Sequence, residues 1–207
     1  FVNKAGAVQS VINITYPVDL KPGTPEAISG SLMNTLLGGY FGSRLNENIR
    51  EDKGYSYGVA SSLSADKEVG YFNAGGSVRN EVTDSAIVEF FREMETLRST
   101  PPDEEELAMV KSVRTGNFAR ALEQPQTVAN FALNTARYDL PEDYYATYLK
   151  KLNAVTPADI QAVARKYVRP DNAHVLVVGN KSEVADKLAG FAASGEVNFF
   201  DIYGNEI

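Results

Sequence analysis

The chain has no cysteine and no tryptophan, and it has a single histidine, His174. Without cysteine there is no disulfide framework, no thiolate metal site and no cysteine nucleophile, and the redox compartment stays open. A zinc site draws on three or four protein ligands, so one histidine without cysteine does not build one alone. Neither H-E-x-x-H nor H-x-x-E-H occurs; no metal site and no cofactor are expected in this chain. Basic charge is also scarce. Lysine and arginine number 20 against 27 acidic residues, a net charge of -7, where nucleic-acid binding calls for a basic stripe. A peptide or protein partner is expected instead. Long apolar runs are missing as well: the longest, such as Val175 to Val178, fall far short of the ~20 residues that cross a bilayer. The chain opens on Phe1 with no basic and apolar leader and reads as an excised or processed piece.

What is present suits an ordinary globular domain. The 207 residues are 43% hydrophobic and 23% charged, enough to bury a core without a staple. Residues 8 to 16 alternate, with Val8, Ser10, Ile12, Ile14 and Tyr16 on one face of a half-buried strand. Thr24-Pro25-Glu26 supplies an N-cap, a proline at the first helical position and an early acid. The helix it opens carries Ile28, Leu32, Leu36 and Leu37 on one face and ends at Gly38-Gly39. A shorter helical stretch runs from about 43 to 52, with Gly54 placed to stop it. Strands at 56–64 and 68–78 read as a hairpin around Ser64 to Lys67.

From Asp84 a helical period sets in through Ile87, Phe90, Phe91, Met94 and Leu97, and Pro101-Pro102 breaks it. Further helices are expected from Asp103 with Leu107, Val110 and Phe118; after Pro125 with Val128, Phe131, Ala132 and Thr135; and over 143–152. These helices are expected to pack on a sheet. Thr156-Pro157 opens another helix, followed by a strand over 173–178, a closing helix over 181–191 and an apolar tail that adds a strand around Phe199 to Tyr203. Strands and helices do not alternate regularly. The expected class is therefore α+β: a mostly antiparallel sheet with helices on one face, in a single domain spanning 1–207 with an unassigned tail at 195–207.

Several residues invite a chemical reading. Gly54-Tyr55-Ser56-Tyr57-Gly58 matches the G-x-S-x-G elbow in form, but an elbow needs a strand before its serine and a helix after it, and here the order is reversed. A base for Ser56 would have to be His174, which precedes an apolar strand and reads as a packed or edge residue. Glu104-Glu105-Glu106 reads as a solvated helix start, where acids complement the dipole. Gly38-Gly39 and Gly75-Gly76 lack the spacing and lysine of a phosphate loop and read as turns and close-packing positions. Tyr144, Tyr145 and Tyr148 read as the packed face of a helix rather than a stacking platform.

The segment from Leu37 to Val59, LGGYFGSRLNENIREDKGYSYGV, carries the strongest signal. Its Gly-rich turn, its Ser43-Arg44-Leu45 leading into a helix that reaches Arg50, and a tyrosine seven residues on, Tyr57, resemble the signature of the C-terminal, zinc-free half of the pitrilysin and insulinase-type zinc metallopeptidases, including the bacterial members that resemble processing peptidases. The resemblance extends over nearly all of residues 7 to 190.

The resemblance implies a half-domain that closes on a peptide together with an N-terminal half bearing the H-x-x-E-H zinc helix. That half, in the same chain or a separate subunit, is the implied partner and the expected holder of the zinc. By resemblance, Arg50 holds a substrate backbone carbonyl and Tyr57 supports the tetrahedral intermediate, while Arg44 and Tyr55 are carried as substrate-contacting candidates. Tyr55 and Tyr57 are expected on one face of an alternating strand, and spacing from Arg50 selects Tyr57. Read by themselves, Arg50 caps a helix C-terminus and Tyr57 fills a sheet face. The chain is then not catalytic alone. The alternative is a family relative that has lost proteolysis and serves as a structural core subunit. Bacterial periplasm and cytoplasm both remain open as locations.

Overall fold

The computed structural model describes all residues from 1 to 207. Five strands form one sheet: β1 (Val2–Asn3), β2 (Gln9–Val18), β3 (Ser56–Ser64), β4 (Gly70–Arg79) and β5 (His174–Gly179), in the order β1-β5-β2-β4-β3. All neighbours are antiparallel except β1 and β5. The hairpin register follows from the short polar turn between β3 and β4, and β3 lies at an edge. The expected α+β class is the one observed.

Period-two alternation decides which face of the sheet is covered. On β2, Ser10, Ile12, Ile14, Tyr16 and Val18 are buried while Gln9, Val11 and Pro17 are exposed. Ile12 and Ile14 meet Phe72, Ala74 and Val78 of β4 and Val177 of β5 in a single core cluster. Burial of each large aliphatic or aromatic side chain contributes roughly 1.5–3 kcal/mol, so a one-residue slip that turned this row to water is strongly disfavoured. Val8, expected in the buried row, is 83% exposed: the ladder begins at Gln9 and leaves it in the preceding turn.

The six longer helices are α1 (Pro25–Asn34), α2 (Thr83–Ser99), α3 (Glu104–Leu122), α4 (Pro125–Tyr138), α5 (Tyr144–Ala154) and α6 (Pro157–Tyr167), of which α1, α3 and α6 open on side-chain caps. Thr24 accepts from the Ala27 amide, and Asp103 and Thr156 each form a reciprocal capping box with Glu106 and Asp159. α1, α2 and α6 bury their apolar rows under the sheet. Tyr16 links sheet to helix, its hydroxyl donating to the Tyr167 carbonyl at 3.1 Å and accepting from the Arg169 amide at 2.7 Å.

Three expectations are corrected. α4 was expected to pack on the sheet, yet none of its residues is buried. It is held by an aromatic stack in which Phe131 lies 5.8 Å from Phe118 and 3.7 Å from Tyr145. Both rings belong to other helices, so α4 forms an outer layer. The closing helix over 181–191 breaks into α7 (Lys181–Val184) and two 3-10 turns. In the tail, Phe200 makes only single bridges to Val2 and Glu206, while Phe199 packs edge-on against Phe1.

Candidate functional site

The segment singled out by sequence lies where α1 runs into β3. α1 continues as a π-helical turn over Thr35–Gly39, and a second one covers Asn46–Asp52. Single π turns widen a helix by one residue and recur at functional sites. Gly38 lets the first turn press against β3, since a Cβ there would lie 2.5 Å from the Ser61 amide nitrogen. Gly54 ends the second with φ +61°, the left-handed conformation that glycine adopts without penalty.

Asn46 ties the second turn to the strand. Its side chain is buried, accepts from the Val59 amide at 3.1 Å and donates to the Val59 carbonyl at 2.9 Å. It also donates to the Tyr40 carbonyl and the Ser43 hydroxyl at 3.2 Å. One side chain therefore holds the Gly-rich turn, the Arg50 helix and the Tyr57 strand together. Sequence reasoning missed it. The available signal was a polar residue on the same helical stripe as Leu45 and Ile49, both buried.

The strand itself is irregular. Ser56 pairs with Val78 and Val59 with Gly76, so β3 carries one extra residue across this interval. That β-bulge corrects the expected alternation of Tyr55 and Tyr57. Tyr55 is half-buried against the core, whereas Tyr57 and Gly58 both face water, Tyr57 with 92% of its surface exposed. Ser56 closes the bulge, accepting from the Gly58 amide at 3.0 Å and donating to the Ser77 carbonyl at 2.6 Å. Tyr57 stands beside a shallow shelf floored by Gly58, Gly75 and Gly76.

Arg50 is half-buried on the second π turn, its guanidinium carbon 4.0 Å above the Phe41 ring and its Nη1 on Glu51. Arg44 is turned elsewhere. Its Nε and Nη2 grip both carboxylate oxygens of Glu106 at 2.8 and 2.7 Å, a bidentate pair between the Gly-rich segment and the start of α3. This corrects the view of Glu104 to Glu106 as a solvated helix start: Glu104 and Glu105 face water, but the Arg44 hydrogen bond holds the Glu106 carboxyl below the usual glutamate value. Asn48 donates to Glu89 and Glu93 of α2 at 2.9 and 2.7 Å.

A serine hydrolase arrangement is not built. Ser56 registers through Val78 onto Ser10 of β2, whereas His174 pairs with Thr15. Five residues along β2 and three strand spacings across put the two roughly 17 Å apart in one direction and 14 Å in the other. Nor do this chain's residues fit a zinc ion. His174 is exposed at the end of β5, and no three histidine, cysteine or carboxylate side chains gather as a ligand set. No helix is long and apolar enough to cross a membrane.

Comparison with known proteins bears on the family and the fold. The model of the family described as peptidase M16 inactive domain matches residues 1–113, more than half of the chain. Among solved structures, the peptidase M16 inactive domain from Pseudomonas fluorescens superposes with a TM-score of 0.80 at 20% identity, covering 86% of this chain and 42% of that one. A candidate zinc protease from Bordetella pertussis Tohama I gives 0.69 at 19%, covering 82% and 92%. A chain of Complex III2 from Candida albicans, bound to Inz-5, gives 0.72 at 11%, covering 92% and 48%. At these identities the likeness establishes the fold. The chain spans well under half of the Pseudomonas structure's own length, and no curated protein matches it in sequence.

Proposed function

From the premise that this chain belongs to the peptidase M16 family, as an inactive domain of the kind found in zinc-protease-like proteins, we propose that it is the substrate-holding half of a two-half zinc endopeptidase acting on peptides or unfolded segments. The N-terminal half, covalently joined or a separate subunit, is assigned the metal. The observation that carries this reading is the mounting of Tyr57. Its phenol stands clear of the sheet on a bulge clamped by Ser56 and Asn46, with no protein hydrogen bond of its own. An aromatic side chain on the open face of a strand buries little apolar area there, so folding does not account for it.

In this reading Arg50 offers permanently charged donors to a substrate carbonyl, and the Tyr57 hydroxyl donates to the oxyanion that develops at the scissile carbon. Tyr55, half-buried, supports the strand and touches substrate at most through its rim. Arg44 acts through the Glu106 pair, fixing the Gly-rich segment at the edge of the cleft. Zinc, when bound by the other half, supplies the activated water.

The test is cleavage of a quenched fluorescent peptide, with zinc, by this chain alone and by the chain combined with its zinc-bearing half. Activity is expected only in the combination. Tyr57→Phe should lower turnover by about 10²–10³-fold, the cost of removing one oxyanion donor, and Arg50→Ala, which removes the carbonyl holder, should lower kcat/KM. Zinc-dependent cleavage by the chain alone would sink the proposal. A second reading, a structural core subunit without proteolysis, draws on the likeness to a chain of an assembled Complex III2. It gains if every combination stays silent while the two halves still associate.

A further inference from the structure

Phe41 is a large apolar residue with no apolar reason to be where it is. The residue is 69% exposed at the tip of the Gly39-to-Ser43 turn, while the neighbouring Tyr40 folds its ring back over Gly42 and is half-buried. The turn is rigidly mounted: the Ser43 amide and the Asn46 side chain both donate to the Tyr40 carbonyl at 3.2 Å. What the Phe41 ring does carry is the Arg50 guanidinium, 4.0 Å above its face. A ring face attracts a cation through its quadrupole, and a guanidinium held there keeps the donors at its rim available for hydrogen bonds.

Arg50 is restrained a second time by Glu51, which takes Nη1. No other hydrogen bond leaves its side chain within the protein, and the side chain keeps 28% of its surface exposed, so Nε and Nη2 are left without a protein partner. We propose that Phe41 is the positioning residue for Arg50: the ring fixes the height and orientation of the guanidinium on the cleft wall, so that its free edge meets an incoming peptide carbonyl without first ordering a long, flexible side chain. The inference rests on the reading of Arg50 as the carbonyl holder. It extends that reading to a residue that touches the substrate only through Arg50.

The experiment uses the chain combined with its zinc-bearing half and the quenched peptide. Phe41→Ala should lower kcat/KM about two- to fivefold, an exposed cation–π contact read as a rate ratio. Phe41→Tyr should retain activity because it keeps the ring face, and Phe41→Leu should fall with the alanine variant although it stays apolar. In an Arg50→Ala background, Phe41→Ala should cost nothing further. A full additional loss in that background, or wild-type activity in Phe41→Leu, overturns the proposal. The Arg50 Nε–H resonance of the chain should also shift on Phe41→Ala, and an unmoved resonance overturns the proposal too. If Arg50→Ala itself leaves cleavage unchanged, the substrate-holding reading fails, and the resonance still decides whether Phe41 positions the guanidinium.

Discussion

At the scale of single residues, charge and hydrogen bonding sort the candidates more sharply than sequence spacing does. Arg44 and Arg50 lie six positions apart, and the signature sets Arg50 first; in the fold Arg44 has its fork closed on Glu106, whereas Arg50 pairs only with the adjacent Glu51. The Arg44 pair makes a testable contribution. The folded-state value of Glu106 is lowered, with the Arg44 hydrogen bond as the largest cause. A lowered carboxyl stabilises the fold at pH above its unfolded value, and that stabilisation is lost as pH falls through the folded value. Glu106→Gln should therefore destabilise the protein by about 1 kcal/mol at neutral pH, given the part-exposed geometry. The two proteins should converge in urea melts as pH falls through the folded value, which lies below the usual 4.5. A gap that persists once the parent's own stability has stopped falling with pH would remove the ion pair as its cause. The acid run was visible in the sequence, but its partner lies 62 residues away, and no local pattern announces such a pairing.

Among elements, the two π turns and the bulge carry the site, and all three are irregularities that period counting smooths over. The helix over 43–52 was legible from Leu45, Ile49 and Gly54, and its widening was not, because one extra residue per turn leaves the apolar spacing nearly unchanged. The bulge escaped for the same reason: a run such as Ser56 to Ser64 counts as alternating unless its register partner is known. Asn46 is the residue on which these elements depend together. Asn46→Ala should cost about 2–4 kcal/mol, since it leaves the buried Val59 amide and carbonyl without partners. Urea unfolding measures the cost, and hydrogen exchange at Val59 should accelerate in parallel. A variant as stable as the parent, with Val59 still protected, would show that the clamp is dispensable.

For the whole molecule, the helices divide into an inner layer that holds the sheet and an outer layer that does not. α4 has no buried residue and leans on α3 and α5 through Phe118, Phe131, Tyr145 and Tyr148, so local opening exposes little apolar surface. Its amides should exchange at least about tenfold faster than those of α2 and α6, and protection of α4 at the global limit would contradict this layering. The sequence by itself determined the α+β class, the capped starts of α1, α3 and α6, and the buried row of β2, because periodicity and caps are local consequences of side-chain size, shape and hydrogen-bonding capacity. It also pointed to the segment from Leu37 to Val59. Only the tertiary structure decided which tyrosine faces water, which arginine closes its fork on a distant carboxylate, and that α4 lies outside the core. Each of these depends on a partner brought close by sheet register or helix packing rather than by neighbouring positions in the chain.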